Sequence, residues 1–456
     1  MVGYEMLRKI NRRLKQAKKE KAGKQLSPVR RIERVYPVKN RRLCAMTFDD
    51  GPSAALPSPQ KNESSLGLTE TLTSILKAYH AKGTFDIIGT TAENYPDKRG
   101  KLHTASWGGR KHDHYPDFEM DHLAGAVNQP KLIQNLIQSG QTLTNHGYHH
   151  ILYGPINYIY RQRETYQNIF EVVEDLNALH QLVKTEFDVD MRFARPPHYI
   201  DNIKDGCDAY DAYALMGYHY LAASFDGGGW QPTTGDYEKD VEAMVSPLEK
   251  VLLENPDALN GQIIFQKDGC NMSLQTPIVD ALPRQLALLS QYGYEVVTVE
   301  ELLSLSPFED YGEGMMYFES ARALDHAGFI IGYKNNTFQP DRLLTMGELV
   351  TMATPRSVYT AKREQLLKSD PKRKMHKKAI GIHVDHHINY VRQEGYLGRL
   401  GTIDTGAKVT LEAMIDFVSA VSKQKGQIAV NILEPLGETY TRAEVLPILE
   451  QLLIKK

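Results

Sequence analysis

Five apolar runs in this chain stop on polar groups that could do chemistry. "MTFDDGP" ends in Asp49 and Asp50, "NHGYHH" carries His146, His149 and His150, and "ARPPHY" carries Arg195, Pro197 and His198. "SFDGGGW" supplies Asp226 and Trp230, and "GQIIFQKDG" ends in Lys267 and Asp268. His146 and His150 with one aspartate would offer a divalent metal two imidazoles and a carboxylate, with positions left open for water. Such a metal lowers the pKa of its water and polarises a carbonyl oxygen. Of two adjacent aspartates, one can ligate the metal while the other takes a proton from the water. Neither pair is decisive alone: His-x-x-x-His recurs in ordinary helices, and Asp-Asp-Gly-Pro is also good turn chemistry.

The elements that must position these groups alternate. From Arg42 to about residue 306, short β-rich runs such as "RLCAMTFDD", "TFDIIG" and "TLTNHG" are separated by amphipathic stretches such as "GLTETLTSILKAYHAKG" and "PKLIQNLIQSGQ". A long helix is expected over residues 161–186. Repeated strand–helix units predict an α/β fold with a parallel sheet closed as a barrel, with chemistry at the C-terminal ends of the strands. Residues 94–128 break the rhythm with "WGGRKHDHYPDFEMDH" and read as an inserted loop. His112, His114 and His122 within it read as a solvated loop.

Together and in this order, the motifs resemble the NodB-homology polysaccharide deacetylases, carbohydrate esterase family 4, over roughly residues 43–306. The resemblance implies a distorted (β/α) barrel and metal-assisted removal of N- or O-acetyl groups from an acetylated glycan. It implies Asp49 as general base and Asp50, His146 and His150 as ligands of a divalent metal, zinc most readily or cobalt. Arg195 resembles the arginine that orients the base. The backbone N–H of His198, beside Pro197, falls where the family builds part of its oxyanion hole, and Trp230 matches the aromatic wall of the substrate groove. One position departs. Lys267 stands where the family's general-acid histidine is usual, and Asp226 is the expected partner that would hold it. A lysine with an ordinary pKa of about 10.4 donates poorly unless shifted. Two alternatives to glycan deacetylation therefore stand: a catalytically impaired, glycan-binding envelope protein, or a hydrolase of another non-peptide C–N bond.

After residue 306 the composition changes. "ARALDHAGFIIGYKNNTFQPDRLLTMGELVTM" is echoed weakly by residues 388–418 and by "TYTRAEVLPILEQLL". Thr345 with Glu348 and Thr441 with Glu444 fit capping boxes; Thr410 with Glu412 falls one residue short. Three related units predict a small α-helical repeat domain over residues 307–456. They resemble S-layer homology repeats, which implies attachment to a cell-wall polymer. Met346 and Leu411 replace that family's arginine, however, and only Arg442 keeps it. His383, Asp385, His386 and His387 read as a solvated helix face, and Lys362 to Lys378 as a linker.

Bulk properties bound the rest. The 456 residues are 41% hydrophobic and 24% charged, ordinary for a globular protein of about two domains. Three scattered cysteines exclude a disulfide framework. Residues 1–42 hold 15 Lys or Arg against 3 Glu, so this arm carries +12 and the remainder −14. Residues 3–22 are expected as a basic amphipathic helix, whose narrow apolar stripe favours a solvated arm over a surface-binding one. Neither a transmembrane segment nor a nucleic-acid partner is expected. The repeats point to the cell envelope, and the lack of a signal-like N-terminus points to the cytoplasm.

Overall fold

The computed structural model describes residues 16–59, 65–90, 106–107, 110–111, 123–154, 165–230, 234–271, 275–369, 384–398, 401–426 and 431–454. Thirteen strands are found among them. They are Leu26–Ser27 (β1), Arg31–Ile32 (β2), Arg42–Asp49 (β3), Thr84–Ile87 (β4), Ser106–Trp107 (β5), Arg110–Lys111 (β6) and Thr142–Asn145 (β7). Phe193–Ala194 (β8), His219–Leu221 (β9), Phe225–Asp226 (β10), Ile263–Lys267 (β11), Tyr294–Val297 (β12) and Gly332–Tyr333 (β13) follow.

Nine strands form one parallel sheet in the order β10-β11-β3-β4-β7-β8-β9-β2, with β12 paired to the first half of β3. The expected α/β fold is present as a curled half-barrel: the pairing path has two ends, β10 and β2, and does not close among the described residues. The alternation of β3 explains its place. Cys44, Met46 and Phe48 face outward into the large cluster beneath the helices, with Phe48 stacked on Phe85. Leu43 and Ala45 face inward with Ile263, Phe193 and Leu221. Thr47 and Asp49 continue that inward face, so the interior changes from apolar to polar at the C-terminal end of the strand.

Helices cover the outer face: Leu68–Ala78, Pro130–Gln138, Ile169–Phe187, Ala209–Met216, Tyr237–Glu254 and Ile278–Gln291. The long helix starts later than residue 161, because the Asn168 side chain accepts from the Glu171 N–H and caps it there. Of the insertion expected over 94–128, β5 and β6 form a two-stranded antiparallel pair, and residues 123–127 lie against the loop after β3. His112, His114 and His122 lie outside the described residues.

The N-terminal segment is not a free arm beyond residue 25. Residues 16–22 are helical and mostly exposed, whereas β1 pairs with β13 and β2 pairs with β9. Residues 1–15 lie outside the described residues. Arg30, between β1 and β2, is buried and donates to the Pro307 carbonyl at 2.7 Å, to Asn336 Oδ1 at 3.2 Å and to Asp325 Oδ1 at 2.7 Å. Its guanidinium also lies 4.5 Å from the Phe308 ring centroid. One arginine thus joins the sheet to the C-terminal region.

That region is helical and has its own apolar cluster, from Phe308 to Leu453. Three loops meet at its centre in a closed cycle. The Leu344 N–H donates to Tyr440 O at 2.7 Å, Tyr440 N–H to Val409 O at 3.0 Å, and Val409 N–H to Leu344 O at 3.1 Å. Each of these residues precedes a threonine that caps or boxes the next turn: Thr345, Thr410 and Thr441. The helix Ser357–Leu367 leaves this unit and packs on the half-barrel, placing Leu366 in the sheet's outer cluster. The expected linker therefore begins as a packed helix. His387, expected on a solvated face, is buried beside the Tyr359 hydroxyl. No helix among the described residues is long and apolar enough to cross a membrane.

Replacing Arg30 by Met should cost about 3 kcal/mol, because Asp325 and the Pro307 carbonyl lose a buried partner. Urea unfolding of the full chain checks this; a loss under about 0.5 kcal/mol, the range of ordinary surface changes, would show the joint to be held elsewhere.

Candidate metal centre and strand-end cluster

Register brings the chemistry together. Lys267 pairs with Asp49 across β11 and β3, Asp49 with Asp86 across β3 and β4, and Asn145 with Ala194 across β7 and β8. The residues just past these ends, Asp50, His146 and Arg195, therefore surround one point at the C-terminal rim.

Asp50 Oδ1 lies 3.2 Å from His146 Nε2 and 3.2 Å from His150 Nε2. These three atoms form a compact donor set. The His pair is not helical: it sits in the loop after β7, and His150 adopts a left-handed φ of 57°. The other nitrogen of His146, Nδ1, lies 2.9 Å from Asp86 Oδ2 and 2.8 Å from the Arg195 carbonyl. A carboxylate behind the imidazole turns Nε2 toward Asp50, the arrangement that orients a metal-ligating histidine. Two imidazole nitrogens and one carboxylate oxygen with a backing carboxylate fit a divalent metal.

Burial opposes charge on His146, but Asp86 and Asp50 outweigh it and hold its pKa well above the usual imidazole range. Burial also acts to raise the Asp50 carboxyl; Lys267 and His150 outweigh it and hold it well below the usual range.

Asp49 lies outside that trio and forms a second close group with Asp86 and His146. Its Oδ1 is gripped by Arg195 Nη1 in a very short contact, and its Oδ2 lies 3.9 Å from His146 Nε2. Arg195 is fully buried and spreads its other donors over Thr47 Oγ1 at 3.0 Å, Leu221 O at 3.2 Å and Ala222 O at 3.3 Å. Burial raises the Asp49 carboxyl to about 7 against the opposing pull of Arg195 and His146. A carboxylate near neutrality is suited to accept a proton at physiological pH.

Pro197 is buried, and His198 follows it with φ 56°, at the mouth and 5.6 Å ring to ring from His150. The expected partnership of Lys267 and Asp226 is not formed. Lys267 is 5% exposed, and its Nζ lies 2.6 Å from Asp50 Oδ2. Asp226 is exposed at the end of β10, level with Phe265 and two residues short of Lys267 in register. Both of its oxygens accept from Trp230 Nε1, at 3.1 and 2.9 Å, and one also accepts from the Gly228 N–H at 2.9 Å. The glycine turn folds Trp230 back onto the aspartate and takes it away from the lysine.

Two carboxylates, Asp86 and Asp175, are not singled out by spacing, and Asp268 stands out only as the polar end of its run. Asp86 lies inside "TFDIIG", where a buried acid in an apolar strand is itself a signal. Asp175, on the helix Ile169–Phe187, accepts from the Tyr148 N–H at 2.8 Å, the His149 N–H at 3.0 Å and lies 2.8 Å from His149 Nδ1. It shapes the loop that carries His150, and no local pattern announces it. Asp268 accepts from Thr69 Oγ1 at 2.7 Å and sits so close beneath the Asp50 turn that a Cβ on Gly51 would collide with it. Burial pushes its carboxyl up to about 7, against the pull of Thr69 and with added repulsion from Asp50.

Asp175→Ala should weaken zinc or cobalt binding by about 10- to 100-fold, as loss of an orienting partner does; competition with a chromophoric chelator measures it. Asp268 holds its proton more tightly folded than unfolded, so its contribution to stability falls as pH rises from about 4 to about 7. The gain of Asp268→Asn over the native chain should grow across that window. Unfolding at several pH values checks this, and parallel profiles for the two proteins would refute it.

The polysaccharide deacetylase family model matches residues 37–203. A bifunctional xylanase/deacetylase from Pseudobutyrivibrio xylanivorans is 23% identical over 266 residues, 58% of this chain and 31% of that protein. The chain thus spans under a third of the length of that relative. Among solved structures, the peptidoglycan deacetylase PdaC from Bacillus subtilis gives a TM-score of 0.37 at 17% identity, covering 58% of this chain and 90% of that one. The chitin deacetylase from the fungal pathogen Colletotrichum lindemuthianum gives 0.39 at 16% identity, covering 60% and 92%. The family match spans β3, β4, β7 and β8 of the parallel sheet and stops before β9.

Proposed function

We propose that this protein is a metal-dependent hydrolase that removes acetyl groups from a polysaccharide or oligosaccharide. The observation that carries the reading is the pairing of two carboxylates with different surroundings at one strand end. Asp50 shares an oxygen with two imidazoles, while Asp49 is held by a buried arginine. A divalent metal bound by Asp50, His146 and His150, zinc in the first instance, would polarise the acetyl carbonyl and acidify a water. Asp49 accepts the proton of the attacking water. Arg195 fixes the Asp49 carboxylate and keeps it from turning into the ligand set. The His198 backbone N–H is the proposed donor to the oxyanion, and Trp230 the proposed wall for a sugar ring, its edge set by Asp226.

A second reading is favoured by Lys267. Its ammonium binds Asp50 rather than Asp226, so the expected acid pair is not assembled. A protein that binds glycan without cleaving it would retain binding when His146 and His150 are replaced by Ala. The C-terminal units are proposed to be a packed scaffold rather than a wall anchor. Arg442, the one arginine kept, is buried and donates to Phe338 O at 2.8 Å and Ile331 O at 3.0 Å.

Acetate release from chitin, peptidoglycan and xylan oligomers with added zinc or cobalt tests the main reading. Asp49→Asn should lower the rate at least about a hundredfold. Release unaffected by that substitution, or glycan binding with no release at all, would reject it.

A further inference from the structure

We infer that His219 is an acid-sensitive clasp between the half-barrel and the C-terminal region, holding the two together while its imidazole is neutral and releasing them when it takes a proton. The clasp operates independently of the deacetylase reading and involves neither metal nor substrate.

His219 opens β9, beside Phe193 of β8 in register, and is 6% exposed. Among the described residues, the polar groups facing its ring nitrogens are all donors. The Arg30 N–H lies 3.3 Å from Nδ1, and Arg30 Nη2 lies 3.5 Å from Nε2. Arg356 Nη1 meets Nε2 in a very short contact. A neutral imidazole accepts through its unprotonated nitrogen, whereas an imidazolium carries a proton on both and accepts from none. Protonation in place would therefore set ring N–H groups against N–H donors in a buried site, with no acceptor to satisfy them.

Charge repeats the conflict. Asp325, on the helix Phe318–His326, lies 2.7 Å from Arg30 Nη2 and 3.6 Å from Arg356 Nη2. Arg356 Nη2 also donates to the Asp325 carbonyl at 2.6 Å. Arg192, just before β8, adds a third guanidinium, answered by half-exposed Glu300 at 3.4 Å. His326 is exposed to water beside Asp325. A proton on His219 would thus set three cations, Arg30, Arg356 and the imidazolium, against one carboxylate. Burial and the neighbouring arginines hold the His219 pKa well below the usual imidazole range.

The same residues make the joint. Arg30 leads into β2, which lies along β9: the Tyr220 N–H donates to Arg30 O at 3.0 Å and the Ala222 N–H to Ile32 O at 2.7 Å. The Arg31 N–H donates across to Lys334 O at 2.9 Å, and Arg356 leads into the helix Ser357–Leu367. Once the joint opens, the ring reaches water and titrates at the ordinary value of about 6.5. Above that pH the open and closed forms bind the same number of protons, and the clasp is at full strength. As pH falls below it, only the open form gains a proton, so the closed form loses ground. The opening equilibrium should rise about thirtyfold between pH 7.5 and pH 5.0.

Amide hydrogen exchange of the full chain, without added metal, tests this, with each rate divided by its intrinsic rate at that pH. From pH 7.5 to 5.0 the peptides holding Arg31, Tyr220 and Ala222 should lose protection about thirtyfold, while those of β3 keep theirs. His219→Gln keeps an acceptor for Arg356 and does not titrate, so its profile should be flat. Arg356→Gln should flatten the profile too, because its side-chain carbonyl can accept from an imidazolium. An equal loss in β3 would show general acid unfolding and overturn the inference. So would a native profile with no loss at Arg31 and Tyr220, or a loss undiminished in either variant. If neither variant folds, the native difference between β2 and β3 decides.

Discussion

The fully buried guanidinium of Arg195 and its contact with Asp49 organise the rim. An ion taken out of water costs several kcal/mol unless its hydrogen bonds are replaced. Here the replacement is spread over two strands: Asp49 and Thr47 on β3, Leu221 on β9, and Ala222 just beyond it. The arginine itself follows β8, so the curl of the sheet and the placement of Asp49 are one constraint. A flat sheet would not bring the ends of β3, β8 and β9 to one guanidinium. The Arg195 carbonyl, facing His146 Nδ1, extends the same constraint to that imidazole.

Asp50 is the point where two imidazoles and an ammonium meet one carboxylate. One oxygen faces the imidazoles and the other the Lys267 ammonium. That division sets one oxygen against the imidazoles and balances the other with the ammonium. It also explains why the neighbouring acids are handled differently. Asp86 is spent on orienting His146, and Asp175 on shaping the loop that carries His150. Asp268 lies beneath the turn, where burial favours its protonated form. Four acids with similar side chains thus acquire distinct tasks from their surroundings alone.

The C-terminal region is tied to the half-barrel by more than a linker. Strand pairing between β1 and β13, the Arg30 joint and the helix Ser357–Leu367 all cross between the two. Its own centre is a cycle of three backbone hydrogen bonds, each made by the residue before a threonine cap. The cycle accounts for the weak sequence echo. Only the cap and the apolar residue before it must recur, and the intervening chain is free to diverge.

Much of this was legible in order and spacing. The strand–helix alternation gave the parallel sheet, because period-2 runs ending in polar groups have few other uses. Asp50, His146 and His150 could be grouped because their types suit a common metal, and Asp49 because it adjoins one of them. The capping boxes at Thr345 and Thr441 are local and were readable from four residues each. What sequence could not supply was direction and partnership across the chain. Asp86 and Asp175 act on His146 and its loop from other elements, through contacts with no fixed spacing. The entry of residues 26–32 into the sheet depends on pairing with β9 and β13, far along the chain. The fate of Lys267 turned on a distance of a few ångströms. Its place opposite Asp49 follows from the strand register, but β10 ends two positions early and its glycines return Trp230 to Asp226. Residue identity therefore determined which groups were available at the rim, and only tertiary packing decided which carboxylate each cation would bind.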